Sequence, residues 1–350
     1  MGDKTDQDRE EEQPLTTAGA PSETPLLHTG PEFAVAEDVQ SIVAGQVVAG
    51  APLWRDAWRR LLKNKLAVLG MIIVATIVVA ALIGPTVISR ATGYAYDFIP
   101  RDPALTKSFP PFRSADGRFS WTHPMGTDNA GRDIFARVLS GGQISLMVAL
   151  IATFVSLVIG VSYGATAGYL GGRIDDLMMR IVDVLYSLPY VIIVIVLLAL
   201  LPAKTPTGQL AQLFFALGAV SWLTMARIVR GQVMTLKNQE FILAARATGV
   251  STPRIIFRHL VPNALGPVIV YATLTVPTVM LSEAFLSFLG LGVRPPRVSW
   301  GSLAAEGAQS VAFYPWQLIF PGATMALMLF SLNFLGDGLR DALDPQMRRE

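Results

Sequence analysis

A chain of 350 residues that is 52% hydrophobic and only 15% charged, with a formal net charge of +2, has the composition of a polytopic membrane protein carrying a soluble segment. It has no cysteine, which excludes disulfides, iron–sulfur clusters and thiolate metal sites. His28, His123 and His259 are too scattered in sequence to suggest a metal cluster, and no G-x-x-x-x-G-K-[ST] run occurs, so the chain is not expected to hydrolyse ATP.

Residues 1–50 set Lys4 and Arg9 against roughly ten carboxylates, with Pro14, Pro21, Pro25 and Pro31 interspersed. Too little apolar surface is available there to offset the entropy of ordering, so a disordered acidic tail is expected. From Leu53 the text becomes LWRDAWRRLLKNK, a basic amphipathic run with Trp54 and Trp58 four apart, suited to a helix lying on a membrane surface. Residues 66–83 are uncharged and long enough to span. Arg55, Arg59, Arg60, Lys63 and Lys65 just before them place the N-terminus in the cytoplasm.

Residues 85–143 then form a long outside loop containing HPMGTDNAGRDIFARVLSGG. Here Asp128 is expected to cap the helix entering the second span, with Arg132 and Asp133 as opposite charges at the membrane edge. The other readings of Gly126, Thr127, Asp128, Gly131, Arg132 and Asp133 are contact with an external binding protein and an acidic metal site, for which two carboxylates five apart without a third do not make a cage. Five further spans are expected at 144–167, 177–201, 210–229, 264–289 and 316–335, making six.

Polar residues within spans are costly and therefore informative. Arg180 and Asp183, three apart, are expected to pair on one helical face, and Pro189 to bend the same helix. Glu283, in SEAFLSFLGLG, is a candidate pathway residue, with a hydrogen bond to Ser287 or Asn333 as the structural alternative; Asp183 is the second pathway candidate. Gly160, Gly164, Gly168, Gly218 and Gly322 would allow close helix approach. The run 291–322, with Trp300, Tyr314 and Trp316, reads as an outer-face loop with aromatic anchors at both ends.

Between the fourth and fifth spans, 239–267 reads QEFILAARATGVSTPRIIFRHLVPNALGP. Phe241, Ala244, Ala245 and Thr248 share a helical face, Gly249 can end that helix in a left-handed cap, and Ser251 or Thr252 can open a second short helix that Pro262 stops. A DNA-reading helix-turn-helix is excluded because both ends are tethered to membrane-length segments, so no nucleic acid partner is expected.

This run resembles the cytoplasmic coupling loop of binding-protein-dependent ABC importers, whose pattern is Glu-Ala-Ala, three residues, Gly, nine residues, Ile, one residue, Leu-Pro. Ala244, Ala245, Gly249 and Pro262 match; Leu243, His259 and Val261 replace the Glu, Ile and Leu. The wording resembles the dipeptide, oligopeptide and nickel branch, where an acidic residue stands slightly upstream, as Glu240 does. Three more stretches carry the same resemblance: GTD-x-x-GRD at 126–133, RPP-x-x-SWG at 294–301, and the ending with Gly336, Asp337, Gly338, Arg340, Asp341, Asp344 and Pro345.

The resemblance implies an all-α integral membrane protein with six transmembrane helices and a type I ABC importer permease core. The expected division is a tail at 1–50, an amphipathic segment and first span at 51–90, an extracytoplasmic loop at 91–143, a five-helix core at 144–336 and a cytoplasmic tail at 337–350. It implies a second homologous permease, two ABC ATPase subunits holding ATP and Mg, an extracytoplasmic solute-binding protein and a surrounding lipid membrane, with no cofactor on this chain. Glu240, Ala244, Ala245, Gly249, Arg254 and Pro262 would face the ATPase. Peptide is the expected cargo, with nickel chelates, glutathione or haem open; the contrasting class is a stand-alone proton-coupled carrier.

Overall fold

The computed structural model describes residues 53–113 and 116–343, which are helical apart from loops and two isolated antiparallel bridges, Arg113 with Phe119 and Thr127 with Asp133. The acidic tail, Asp344 and Pro345 lie outside the described residues.

Helix α1 (Leu53–Lys63) buries Ala57 and Leu61, four apart, against Ala67 and Ala342, and leaves Trp58 and Leu62 outward. Asn64 separates it from α2 (Lys65–Thr92), its Oδ1 accepting from the amides of Leu66 and Ala67 at 3.1 and 3.2 Å. Helix α2 runs through Pro85 to a left-handed Gly93, so the first span is longer, and the following loop shorter, than expected.

Helix α3 (Ile134–Leu170) begins ten residues before the expected start of the second span at 144, moving the core boundary to 134. Its start is fixed by a cap and not by hydropathy: Asp133 Oδ2 accepts from Ala136 N at 2.7 Å. Helices α4 (Gly172–Ser187) and α5 (Tyr190–Leu200) meet at a 92° bend. Pro189 has no amide to donate and forces Leu188 into extended backbone, so the expected bend is a full break.

Helix α6 (Pro206–Leu236) is capped by Thr205, and α7 (Glu240–Ala247) follows after a short turn. Helix α8 (Thr252–Phe288) corrects the expected two-helix arrangement, because Pro262 does not stop it. A π-helical turn at Ile255–Leu260 absorbs the missing donor: Val261 N bonds back to Ile256 O, five residues earlier, and the helix continues. The outer segment is not all loop, for it contains α9 (Trp300–Ser310), opened by a Ser299–Ser302 capping box. Helix α10 (Trp316–Leu343) then extends into what was expected to be a tail from 337.

Five of these helices are long and apolar enough to cross a membrane, and the bent α4–α5 pair makes six. Their alternation gathers the 93–133 segment, α9 and the start of α10 at one end, and α1, α7 and the end of α10 at the other. The centre is the α3–α6 seam, where Gly160, Gly164 and Gly168 repeat every four residues along one face of α3. A Cβ on Gly160 would lie 2.6 Å from that of Met225, one on Gly168 2.8 Å from the Arg230 carbonyl oxygen, and one on Gly164 would collide with the Ala226 carbonyl. Only hydrogen fits there. Gly218 is likewise close to Val155, but Gly322 has nothing within 4 Å and serves no such approach.

Candidate functional site

Helix α7 projects from the bundle end opposite the long loop, held by one inward residue. Ile242 is completely buried and packs with Ile255, Ile256 and Leu260 of α8 and Val229 and Val233 of α6. Ala245 packs partly on this cluster, whereas Glu240, Phe241, Leu243 and Ala244 are exposed. The four-residue face read from sequence is therefore divided, with Phe241, Ala244 and Thr248 outside and Ala245 half turned in. Gly249, at φ 76°, closes the helix as expected, with its amide bonded to Arg246 O and that of Val250 to Ala245 O, both near 3 Å. Arg254 and Pro262 are exposed beyond the turn, where the side chain of Phe257 adds a further apolar surface.

Three polar ties fix this end to the spans. Arg230 of α6 binds Asp175 of α4 bidentately at 2.6 and 2.7 Å. Lys237 Nζ donates to the Gly168 carbonyl at 2.9 Å, and Arg246 of α7 lies 4.8 Å from the Tyr169 ring centre while its Nε donates to that hydroxyl at 3.2 Å. These contacts join α7 to α3, the end of α6 to α3, and α6 to α4.

At the other end the GTD-x-x-GRD turn is built as a closure. Thr127 is almost fully buried, its hydroxyl donating to Lys107 O at 2.8 Å and accepting from Phe109 N at 2.7 Å. Gly126 and Gly131 supply the positive φ angles, 77° and 76°, that the turn requires. The expected roles of the acids are exchanged: Asp133 caps α3 and holds His123 Nδ1 at 2.9 Å, while Asp128 closes the turn by accepting from the amides of Ala130 and Arg132. Asp128 also pairs with Arg132 at 2.6 Å and with buried Arg137 at 2.5 Å, so Arg132 does not bond to its neighbour Asp133. Arg137 continues to Glu306 of α9 at 2.9 Å. Trp316 donates its indole N–H to Thr127 O at 3.2 Å and Trp300 to Val138 O at 2.8 Å. Trp300 is buried, which corrects its reading as an interfacial anchor.

Within the spans, Glu283 is 1% exposed and receives hydrogen bonds from Ser287 and Ser299, both at 2.7 Å, and from Ser145 at 3.4 Å. Asn333 instead bonds to Leu329 O in its own helix. Asp183 does not pair with Arg180; its partner is Arg227 of α6 at 2.8 Å, which also sits 4.3 Å from the Tyr186 ring centre. That aromatic contact holds the guanidinium across the α4–α6 gap, where Arg180 has no such support. Arg137, Glu306, Asp175 and Arg230 were not singled out from sequence, although a lone arginine three residues into an apolar run was a usable signal.

Residues 156–349 match the family of binding-protein-dependent transport system inner membrane components, and residues 52–111 match the N-terminal TM domain of oligopeptide transport permease C. The chain belongs to this permease family. The oligopeptide transport system permease protein OppC of Bacillus subtilis (strain 168) is 44% identical over 297 residues, covering 85% of this chain and 91% of the relative. The dipeptide transport system permease protein DppC of the same organism is 45% identical over 296 residues, covering 84% and 86% respectively. OppC of Escherichia coli (strain K12) is 46% identical over 302 residues, covering 86% and 94%. The permease is accordingly a multi-pass membrane protein of the peptide ABC importer type.

Proposed function

We propose that this permease forms half of a peptide translocation pathway and converts ATP-driven movement of cytoplasmic subunits into movement of its spans. The observation that carries this reading is α7: a short helix that leaves Phe241, Leu243 and Ala244 exposed, is tied to α3 through Arg246–Tyr169, and follows directly on an α6 end that Lys237–Gly168 and Arg230–Asp175 join to α3 and α4. Such a surface suits a groove on one of two ABC ATPase subunits, which hold ATP and Mg, and rigid ties pass its displacement to the bundle. The N-terminus, α1, α7 and the C-terminus then lie in the cytoplasm, in accord with the lysines and arginines of residues 55–65.

A second, homologous permease completes the pathway. Asp183 and Arg227 support this: their side chains are 60% and 39% exposed on the flank of spans, where charge is tolerated against a protein neighbour or water but not against hydrocarbon. An extracytoplasmic solute-binding protein delivers di- or oligopeptides to the opposite end. A stand-alone proton carrier is not favoured by the relatives, and Glu283, its principal candidate, lies enclosed by serines.

The test is Gly249→Asp in the reconstituted complex. Aspartate tolerates left-handed backbone better than most residues, so the turn persists while a charge and added volume enter the docking face. ATP-dependent peptide uptake is expected to disappear while the second permease still copurifies. Normal uptake by this variant would sink the coupling assignment.

A further inference from the structure

The break between α4 and α5 opens a cavity of about 630 Å³ bounded by α6 and α8. Interrupted helices at membrane depth persist only beside protein or a water-filled space, and substrate sites concentrate at such interruptions. The chemistry of this wall is unusual for so apolar a protein. No charged side chain lines it, yet nine of its lining residues carry hydroxyl groups.

Four of these hydroxyls are held by the same contact. Ser221, Thr275, Thr278 and Ser282 each donate to the carbonyl four residues earlier, at 2.8, 2.9, 3.2 and 2.9 Å. A hydroxyl engaged in that way keeps its lone pairs, so the wall accepts hydrogen bonds. Tyr190 is different. It stands just past Pro189 at the break, its Oη is buried near Ser221 and Ser282, and it makes no hydrogen bond of good geometry. Charge stops at the rim, where Arg227 is held between Tyr186 and Asp183.

We propose that this cavity is a subsite for the peptide main chain. Amide N–H groups of the cargo donate to the lone pairs of Ser221, Thr275, Thr278 and Ser282, and a cargo carbonyl accepts from Tyr190 Oη. A wall that reads amides and carries no charge passes peptides irrespective of side-chain charge, leaving selection to the delivering protein. The inference rests on the peptide-permease reading above.

The experiment uses the complete complex in vesicles, with trialanine and trialanine methylated on its central amide nitrogen. The binding protein's affinity for each peptide is measured first so that both are supplied at saturation. Methylation removes one donor, and uptake is expected to fall about threefold to tenfold, the range for loss of a single hydrogen bond. Tyr190→Phe lowers uptake of trialanine by a similar factor. Thr278→Val and Ser282→Ala each bring the ratio between the two peptides closer to one, a readout that remains if Tyr190→Phe fails to assemble. Equal uptake of both peptides by the wild-type complex, with Tyr190→Phe or either hydroxyl variant unchanged, overturns the subsite and leaves the permease reading standing. A complex that carries neither peptide with ATP overturns both.

Discussion

Glu283 is enclosed by Ser145, Ser287 and Ser299, and its consequences are local. Glu283→Gln keeps an acceptor oxygen for Ser287 and Ser299, with its amide NH2 placed to donate to Ser145, and is expected to preserve folding. Glu283→Leu leaves Ser287 and Ser299 without their acceptor, at a cost of about 1–3 kcal/mol for each orphaned group. The check is thermal unfolding of the two variants in detergent; a leucine variant as stable as wild type would contradict the role given to the carboxylate. Gly249 has a different vulnerability. Nothing lies within 4 Å of a Cβ built there, so Gly249→Ala meets no atom and is disfavoured only by its left-handed backbone, by about 1–2 kcal/mol. That strain should fray the end of α7 and increase hydrogen exchange at Val250, whose amide bonds to Ala245 O.

Among the elements, the α3–α6 seam is the place where a single methyl group has the largest expected effect. Gly164→Ala sets a Cβ against the Ala226 backbone, which cannot rotate away, and should destabilise the bundle by about 1–3 kcal/mol. Gly322→Ala, with open space around it, should be neutral; equal melting temperatures for the two variants would refute the packing assignment. The seam was legible because three glycines at four-residue spacing describe a face in any helix. Helix ends were less so, since hydropathy locates an apolar run but a cap decides where it begins, as Asp133 does for α3. The course of α8 over Pro262 depends on a π turn that no local pattern announces. Helix α9 mixes Gly, Ala, Ser and Glu and looks like loop; it is helical because Ser299 caps it and Trp300 buries itself against Val138. For the acidic residues of the GRD turn, sequence supplied the residue types, but which carboxylate capped and which paired was decided by the partners α9 and α10 bring.

For the molecule as a whole, sidedness is open to direct measurement because the chain has no cysteine of its own. Asp116→Cys and Arg254→Cys place single thiols at exposed positions on opposite ends of the bundle. In right-side-out vesicles a membrane-impermeant maleimide should label the first and spare the second until the membrane is opened; the reverse pattern would invert the proposed orientation.

The Asp128–Arg137–Glu306 cluster also has a history written into its numbering. As the chain leaves the ribosome, Asp128 precedes Arg137 by nine residues, so the buried cation has a counter-charge available from the start. Glu306 is translated only after five intervening helices, so until then Arg132 and Arg137 have only Asp128 of the carboxylates they pair with in the folded bundle. A nascent chain stalled anywhere in that interval leaves the Arg137 guanidinium short of acceptors it has in the finished bundle, so full pairing of this cation coincides with the arrival of α9.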